Sequence, residues 1–206
     1  MSRLLDQLAD DARRSAARAL ASCPVVDVPP GRSVDLRDAA LIVVEQGVVI
    51  LTGADGRRIV IALAGAGEVL APPASDEELS SLTGARVTAL SHDARRVLMR
   101  IPAAAEAITD GLVAALRERK TSLKVFAHFP HVERVRGKLL QLARSHGKVT
   151  AGGILIDLPL THDLIADSIG SSRETVTLAL RQLMRLGFVA RVGGRYRLSA
   201  RPEDLA

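Results

Sequence analysis

The sequence predicts an α+β chain: an amino-terminal antiparallel β-roll of jelly-roll type, a long dimerisation helix, and a carboxyl-terminal winged helix-turn-helix. Three observations carry that prediction. From residue 25 to about 101, short β-prone runs alternate with glycine and proline. From 103 to 127, apolar residues recur at helical spacing. Residues 158–198 then follow the plan helix, tight turn, helix, hairpin. The boundaries implied are 1–100 for the roll with a leading helix, 101–130 for the long helix and hinge, and 131–206 for the winged module.

The leading helix runs over 3–21, where Leu4, Leu5, Leu8, Ala12, Ala16, Ala19 and Leu20 make one apolar face and Asp and Arg take the other. The strands expected next are 25–28, 33–36, 41–45, 48–51, 57–63, 68–70, 86–90 and 96–100. Their separators are Pro29-Pro30-Gly31, Gly47, the Gly-Ala-Asp-Gly run at 53–56 and Gly65-Ala66-Gly67. In the long helix the stripe is Ala104, Ile108, Leu112, Ala115, Leu116, Leu123 and Phe126. His128-Phe129-Pro130-His131 forms the hinge, because proline cannot continue a helix. A helix over 132–145 follows, with Val135, Leu139, Leu140 and Leu142 inward, and then a hairpin over 147–158 turning at Gly152-Gly153.

The winged module carries the clearest local signals. Thr161 is an N-cap for a short helix whose inner side is Ile165, Ala166 and Ile169, and Gly170 ends it at a turn that favours positive φ. Ser172 caps a second helix, with Glu174 in the first turn complementing the helix dipole. Val176, Ala179, Leu180 and Leu183 repeat at helical spacing, and Gly187 stops the helix. Two short strands at 188–192 and 196–199 around Gly193-Gly194 make the wing.

The chemistry at the start of that second helix suits duplex DNA. Arg173 can donate two hydrogen bonds to a guanine edge and Glu174 can accept one from cytosine. Ser172 and Thr175 are short hydroxyls matched to phosphate oxygens, and Arg181, Arg191 and Arg195 are further phosphate partners. Charge agrees: residues 1–130 hold 16 Lys and Arg against 16 Asp and Glu, whereas 131–206 hold 12 against 7. The whole net charge of +5 therefore falls in the half that holds the helix-turn-helix.

Other classes are disfavoured. Aromatic residues make up 2% of the chain, too few for a single-strand stacking platform. The single cysteine, Cys23, excludes an intrachain disulfide and a cysteine-ligated cluster within one chain. The five histidines show no metal-ligand spacing, and neither a Gly-x-x-x-x-Gly-Lys loop nor a Gly-x-Ser-x-Gly elbow occurs, so the expectation is no metal, no cofactor and no catalytic group. The amino terminus is too acidic and polar for a signal peptide and no apolar run approaches the ~18 residues of a membrane span, which points to the cytoplasm.

The segment Ile169-Gly170-Ser171-Ser172-Arg173-Glu174-Thr175-Val176 resembles the recognition segment of the Crp/Fnr family of bacterial transcription regulators. The resemblance implies that Arg173 and Glu174 read bases, that Ser172 and Thr175 hold phosphates, and that a homodimer meets a two-fold operator and RNA polymerase. At the position where the family often has another base-reading arginine this chain has Leu178. Residues 30–90 resemble the family's cyclic-nucleotide-binding domain through Pro30-Gly31, Glu45-Gln46-Gly47-Val48-Val49, Asp55-Gly56-Arg57 and Gly67-Glu68. By that likeness Glu68 is the ribose-binding glutamate, Thr83 stands in the phosphate-clamp segment, and Thr121 and Ser122 face the base. Yet Thr83-Gly84 precede the Ala85-Arg86-Val87-Thr88-Ala89 strand where the family's arginine and serine belong. Arg86, one residue on, points to the opposite face of the strand from residue 85. The missing guanidinium and the acidic, proline-rich 72–78 stretch argue against a standard cyclic AMP or cyclic GMP site, and the effector is left unnamed. The competing reading is a small-molecule-binding or enzymatic β-barrel whose winged helix contacts other proteins.

Overall fold

The computed structural model describes residues 10–53, 58–128 and 130–199. Leu4, Leu5 and Leu8 of the leading helix, the Asp55-Gly56-Arg57 turn, Phe129 and the side chain of Phe126 lie outside the described residues. By internal contacts the chain forms two compact units, one of residues up to 57 and 61–119, the other of 58–60 and 120 onward. The division falls inside the long helix rather than at the proline hinge.

The first unit begins with helix α1 (Asp10–Ala21). Strands β1 (Val25–Val28), β2 (Ser33–Val34), β3 (Leu41–Gly53), β4 (Ile59–Gly65), β5 (Val69–Leu70) and β6 (Glu77–Leu90) follow. They make one sheet in the order β1-β6-β3-β4, with β2 added on β6 and β5 on β3. Strand alternation feeds two cores. Ile42 and Val44 join Val49, Leu51, Leu79 and Val87 inside the roll. Leu41 and Val43 face the other way, onto Ala16, Leu98, Ala104 and Ile108 from the helices.

Three sequence expectations need correction. Segments 41–45 and 48–51 are one strand, not two, because Gly47 bends β3 at a bulge instead of ending it. Gly47 has φ +79, and a Cβ there would stand 1.9 Å from the Gly84 carbonyl oxygen, so glycine alone permits the approach to β6. Residues 77–84, outside the strands expected, form the first half of β6: Leu79 and Ser81 are deeply buried there, and pairing with β2 and β3 outweighs the polar composition. Residues 96–100, expected as a strand, belong instead to helix α2 (His92–Leu98) and its end. Ser91 caps this helix by accepting from the Ala94 amide at 3.1 Å, and the i, i+4 pair Ala94 and Leu98 fills the core.

Helix α3 (Pro102–His128) buries Ala104 and Ile108 in its first turns. Further along its stripe Leu112, Leu116 and Leu123 are exposed, the last two by 67% and 69%. The second unit contains α4 (His131–His146), β7 (Gly147–Thr150), β8 (Gly153–Ile156), α5 (His162–Ile169), α6 (Arg173–Arg185), β9 (Val189–Val192) and β10 (Arg195–Leu198). Its sheet runs β7-β8-β10-β9, all antiparallel. Val135, Leu139, Ile165, Val176, Leu180 and Tyr196 are fully enclosed, so α4, α5, α6 and the wing share a core.

Candidate nucleic-acid interface

Helix α6 is placed by a chain of local bonds. Thr161 accepts the Leu164 amide at 3.0 Å and starts α5. Gly170 ends it in the left-handed region, φ +59, with its amide on the Ala166 carbonyl. Ser171 is buried, and its hydroxyl lies 3.0 Å from His131 Nδ1, which ties the turn to the start of α4. Ser172 accepts the Thr175 amide at 3.2 Å and meets the Thr175 hydroxyl at 2.9 Å, so both hydroxyls build the cap that orients the first turn of α6.

That geometry sends Arg173 and Glu174 outward. Arg173 is 66% exposed, with a loose ion pair to Asp163 at 3.8 Å. The Glu174 carboxyl is held below its ordinary range by its own backbone amide and by the Ser172 hydroxyl, so it stays an acceptor. Leu178 is 64% exposed on the same helix. Exposed hydrophobic positions are common, but this one lies a turn from Glu174 on the outward side.

His162 was not foreseen as part of the face. Its Nδ1 is 2.8 Å from the Thr177 hydroxyl, which itself donates to the Arg173 carbonyl at 2.8 Å. The hydroxyl proton is thus committed, and Nδ1 is the donor of the neutral imidazole. Partial burial, then the fields of Arg191 and Arg173, hold the His162 pKa below its usual value; Arg181 acts in the same sense and Asp163 against it. One histidine therefore senses two of the predicted phosphate partners, Arg191 and Arg181, together with Arg173. Arg191 lies over the Tyr196 ring, 5.4 Å from its centre, and Arg181 is exposed. Arg195 is half-buried and pairs with Asp157 at 3.6 Å, and Asp157 also receives Lys148 at 2.6 Å. Lys148 and Asp157 were missed because one charge on a strand and one in a loop make no pattern in the sequence.

In the first unit the candidate ligand groups turn to the protein's own backbone. Glu68 accepts the Gly65 amide at 3.0 Å, and burial, opposed by that bond, raises its pKa, with Glu118 adding to the rise. Thr83 accepts the Val48 amide at 3.2 Å and lines an open depression of about 370 Å3 with Asp27, Gln46 and Arg86. Glu68 does not line that depression. Arg86 is exposed beside buried Ala85 and forks onto Asp27 at 2.8 and 3.1 Å. Among the described residues the one guanidinium lining that depression, that of Arg86, is already paired with Asp27. Thr121 and Ser122 are in the second unit, where Ser122 donates to Gln141 Oε1 at 3.4 Å.

A capped, outward-facing helix start, a basic surround and a two-stranded wing define a winged helix-turn-helix of the DNA-binding kind. Residues 133–203 match the family model of the Crp-like helix-turn-helix domain. The winged module of this chain is thus similar to that of Crp-like regulators. It is 33% identical over 96 residues to the global nitrogen regulator of Synechococcus elongatus, an alignment spanning 47% of this chain and 43% of that relative. With the CRP-like cAMP-activated global transcriptional regulator of Mycobacterium tuberculosis it shares 29% identity over 195 aligned residues, 88% of this chain and 86% of the relative. Among solved structures, a variant of CooA from Carboxydothermus hydrogenoformans superposes with a TM-score of 0.76 at 18% identity, covering 91% of this chain and 88% of that one. FixK2 from Bradyrhizobium japonicum gives 0.72 at 22%, covering 89% and 95%. No helix among the described residues is long and apolar enough to cross a membrane.

Proposed function

We propose that this chain is a non-enzymatic, cytoplasmic transcription regulator that binds a two-fold operator as a homodimer through α6 in the major groove. The observation that carries this reading is the exposed pair Arg173 and Glu174 at the capped start of α6. Arg173 reads a guanine and Glu174 a cytosine; Arg181, Arg191 and Arg195 contact phosphates, with the Ser172 and Thr175 hydroxyls at the helix start. The exposed Leu112, Leu116 and Leu123 support α3 as the seam between two copies, since a half-buried stripe favours a partner helix. The partners on this reading are double-stranded DNA, a second copy and RNA polymerase. The sensor is not a cyclic AMP or cyclic GMP site of the usual kind.

Selection from a random duplex pool tests this. Enrichment of an inverted repeat is expected, and Arg173→Ala should cost about 1–3 kcal/mol and relax preference at one position per half-site. Salt-sensitive binding without enrichment would replace the proposal with a module for protein contacts.

A further inference from the structure

His162 opens α5 and is held across to α6. Its Nδ1 donates to the Thr177 hydroxyl at 2.8 Å, and that hydroxyl spends its own proton on the Arg173 carbonyl. One hydroxyl thus joins the half-buried imidazole to the first turn of α6. With Nδ1 fixed as a donor, only Nε2 can change its state. Among the described residues Nε2 has no hydrogen-bond partner. A proton gained there turns a bare acceptor into an N–H donor and adds a charge, while the bond to Thr177 stays as it is.

Two features of the site oppose that proton in the free protein. The ring stands at the first position of α5, where the helix dipole disfavours a cation. Arg173 and Arg181 of α6 and Arg191 of β9 act on it against a single carboxylate, that of Asp163 on its own helix. Asp163 is itself shared with Arg173 at 3.8 Å. The guanidinium groups keep their charge throughout the neutral range, so the imidazole is the member of this cluster that can respond to pH there. A polyanion laid on those arginines cancels the charges that repel the proton. It also brings phosphate oxygens, the acceptors that an Nε2–H needs.

We propose that His162 couples duplex binding to proton uptake: its neutral ring takes one proton from solvent and, as an imidazolium, donates through Nε2–H to a backbone phosphate. This coupling rests on the DNA reading of α6 and adds to it a dependence of affinity on pH through one side chain. The full-length protein is titrated with a fluorescent mixed-sequence duplex of about 30 base pairs at fixed ionic strength, from about pH 8 to pH 6. A phosphate contact is indifferent to sequence, so the mixed duplex suffices. Affinity should rise about threefold to tenfold toward the acid end, and calorimetry in two buffers of different ionisation enthalpy should show protons taken up on binding. His162→Gln should lose most of that rise. His162→Lys, whose charge does not titrate in this range, should hold the acid-end affinity at every pH. His131→Gln, which removes a histidine outside the cluster, should keep the rise. Failure to bind the duplex at any pH would sink the DNA reading and the coupling together. Binding that is independent of pH, or whose pH dependence survives His162→Gln, overturns the coupling alone. Loss of all binding in both His162 variants overturns it too, because the residue would then be structural.

Discussion

The two units use the same kinds of polar side chain in opposite ways. In the winged unit Ser172 and Thr175 spend their hydrogen bonds on a helix cap, and this leaves Arg173 and Glu174 exposed at its start. In the roll, Glu68 and Thr83 turn onto the Gly65 and Val48 amides, and Arg86 onto Asp27. A surface for an outside partner needs bonds that position groups without consuming them. The winged unit has such bonds, while in the roll Glu68, Thr83 and Arg86 are turned onto the protein's own chain. On the proposed reading, specificity resides in the second unit, and that contrast can be broken or sharpened by substitution.

The largest effect should come from glycine. Gly47→Ala in the roll meets both a positive φ and the Gly84 carbonyl, and should cost about 3–5 kcal/mol in circular-dichroism melts. Gly194→Ala in the wing has φ +79 but open space around it, and should cost only about 1–2 kcal/mol. Equal losses would show that conformational strain alone, without the close approach of β3 and β6, sets both costs.

Next is DNA recognition, where Arg173→Ala should lose both affinity and selectivity. Arg181→Ala should weaken all sequences alike and lower the slope of log affinity against log salt by about 1. A uniform loss for Arg173→Ala would deny it a base-reading role and leave the winged unit a purely electrostatic surface.

The units should also titrate in opposite directions. His162 and His146 are both held below the ordinary 6.5, each chiefly by burial, helped by neighbouring cations. Unfolded chains take up those protons first, so their contribution to stability is full above 6.5 and is lost as pH falls toward the depressed values. Glu68 is raised above its ordinary 4.5 by burial, so its contribution is full below 4.5 and is lost as pH rises through the raised value. Melts from pH 4.5 to 8 should show one transition falling with acid and another falling with base. His146→Gln with His162→Gln should flatten the first, and Glu68→Gln the second. Parallel slopes would refute the division.

The same contrast explains what was legible in the sequence. Caps and helix stops are local: Thr161, Gly170, Ser172 and Gly187 each act within a turn of themselves, and α5, α6 and the wing stand where the residues place them. The roll depends on partners far along the chain. Ser80 and Ser81 look like loop until β2 and β3 pair with them, and Gly47 reads as a stop until Gly84 is brought beside it. Residues 96–100 misled for a different reason: alternation over five residues fits a strand as well as one turn and a half of helix, and the Ser91 cap decided it. The capped, exposed start of one helix could be read directly, whereas a cavity lined by Arg134, Lys138 and Arg144 draws on three helices and leaves no sequence pattern.

The smallest effect, and the finest test, is at the wing. Asp157 holds both Lys148 and Arg195, and those bonds and charges keep its carboxyl below the usual range. As exposed pairs they add little to stability, so Asp157→Asn should change the melting temperature hardly at all. It should instead release two cations beside the wing and raise affinity for all duplexes several-fold at low salt, with an advantage that fades as salt rises. Sequence preference should not move, because neither Lys148 nor Arg195 lies on α6. A gain confined to one sequence would mean that the wing reads bases. An unchanged affinity would place Arg195 outside the DNA contact and confine recognition to α6 and Arg191.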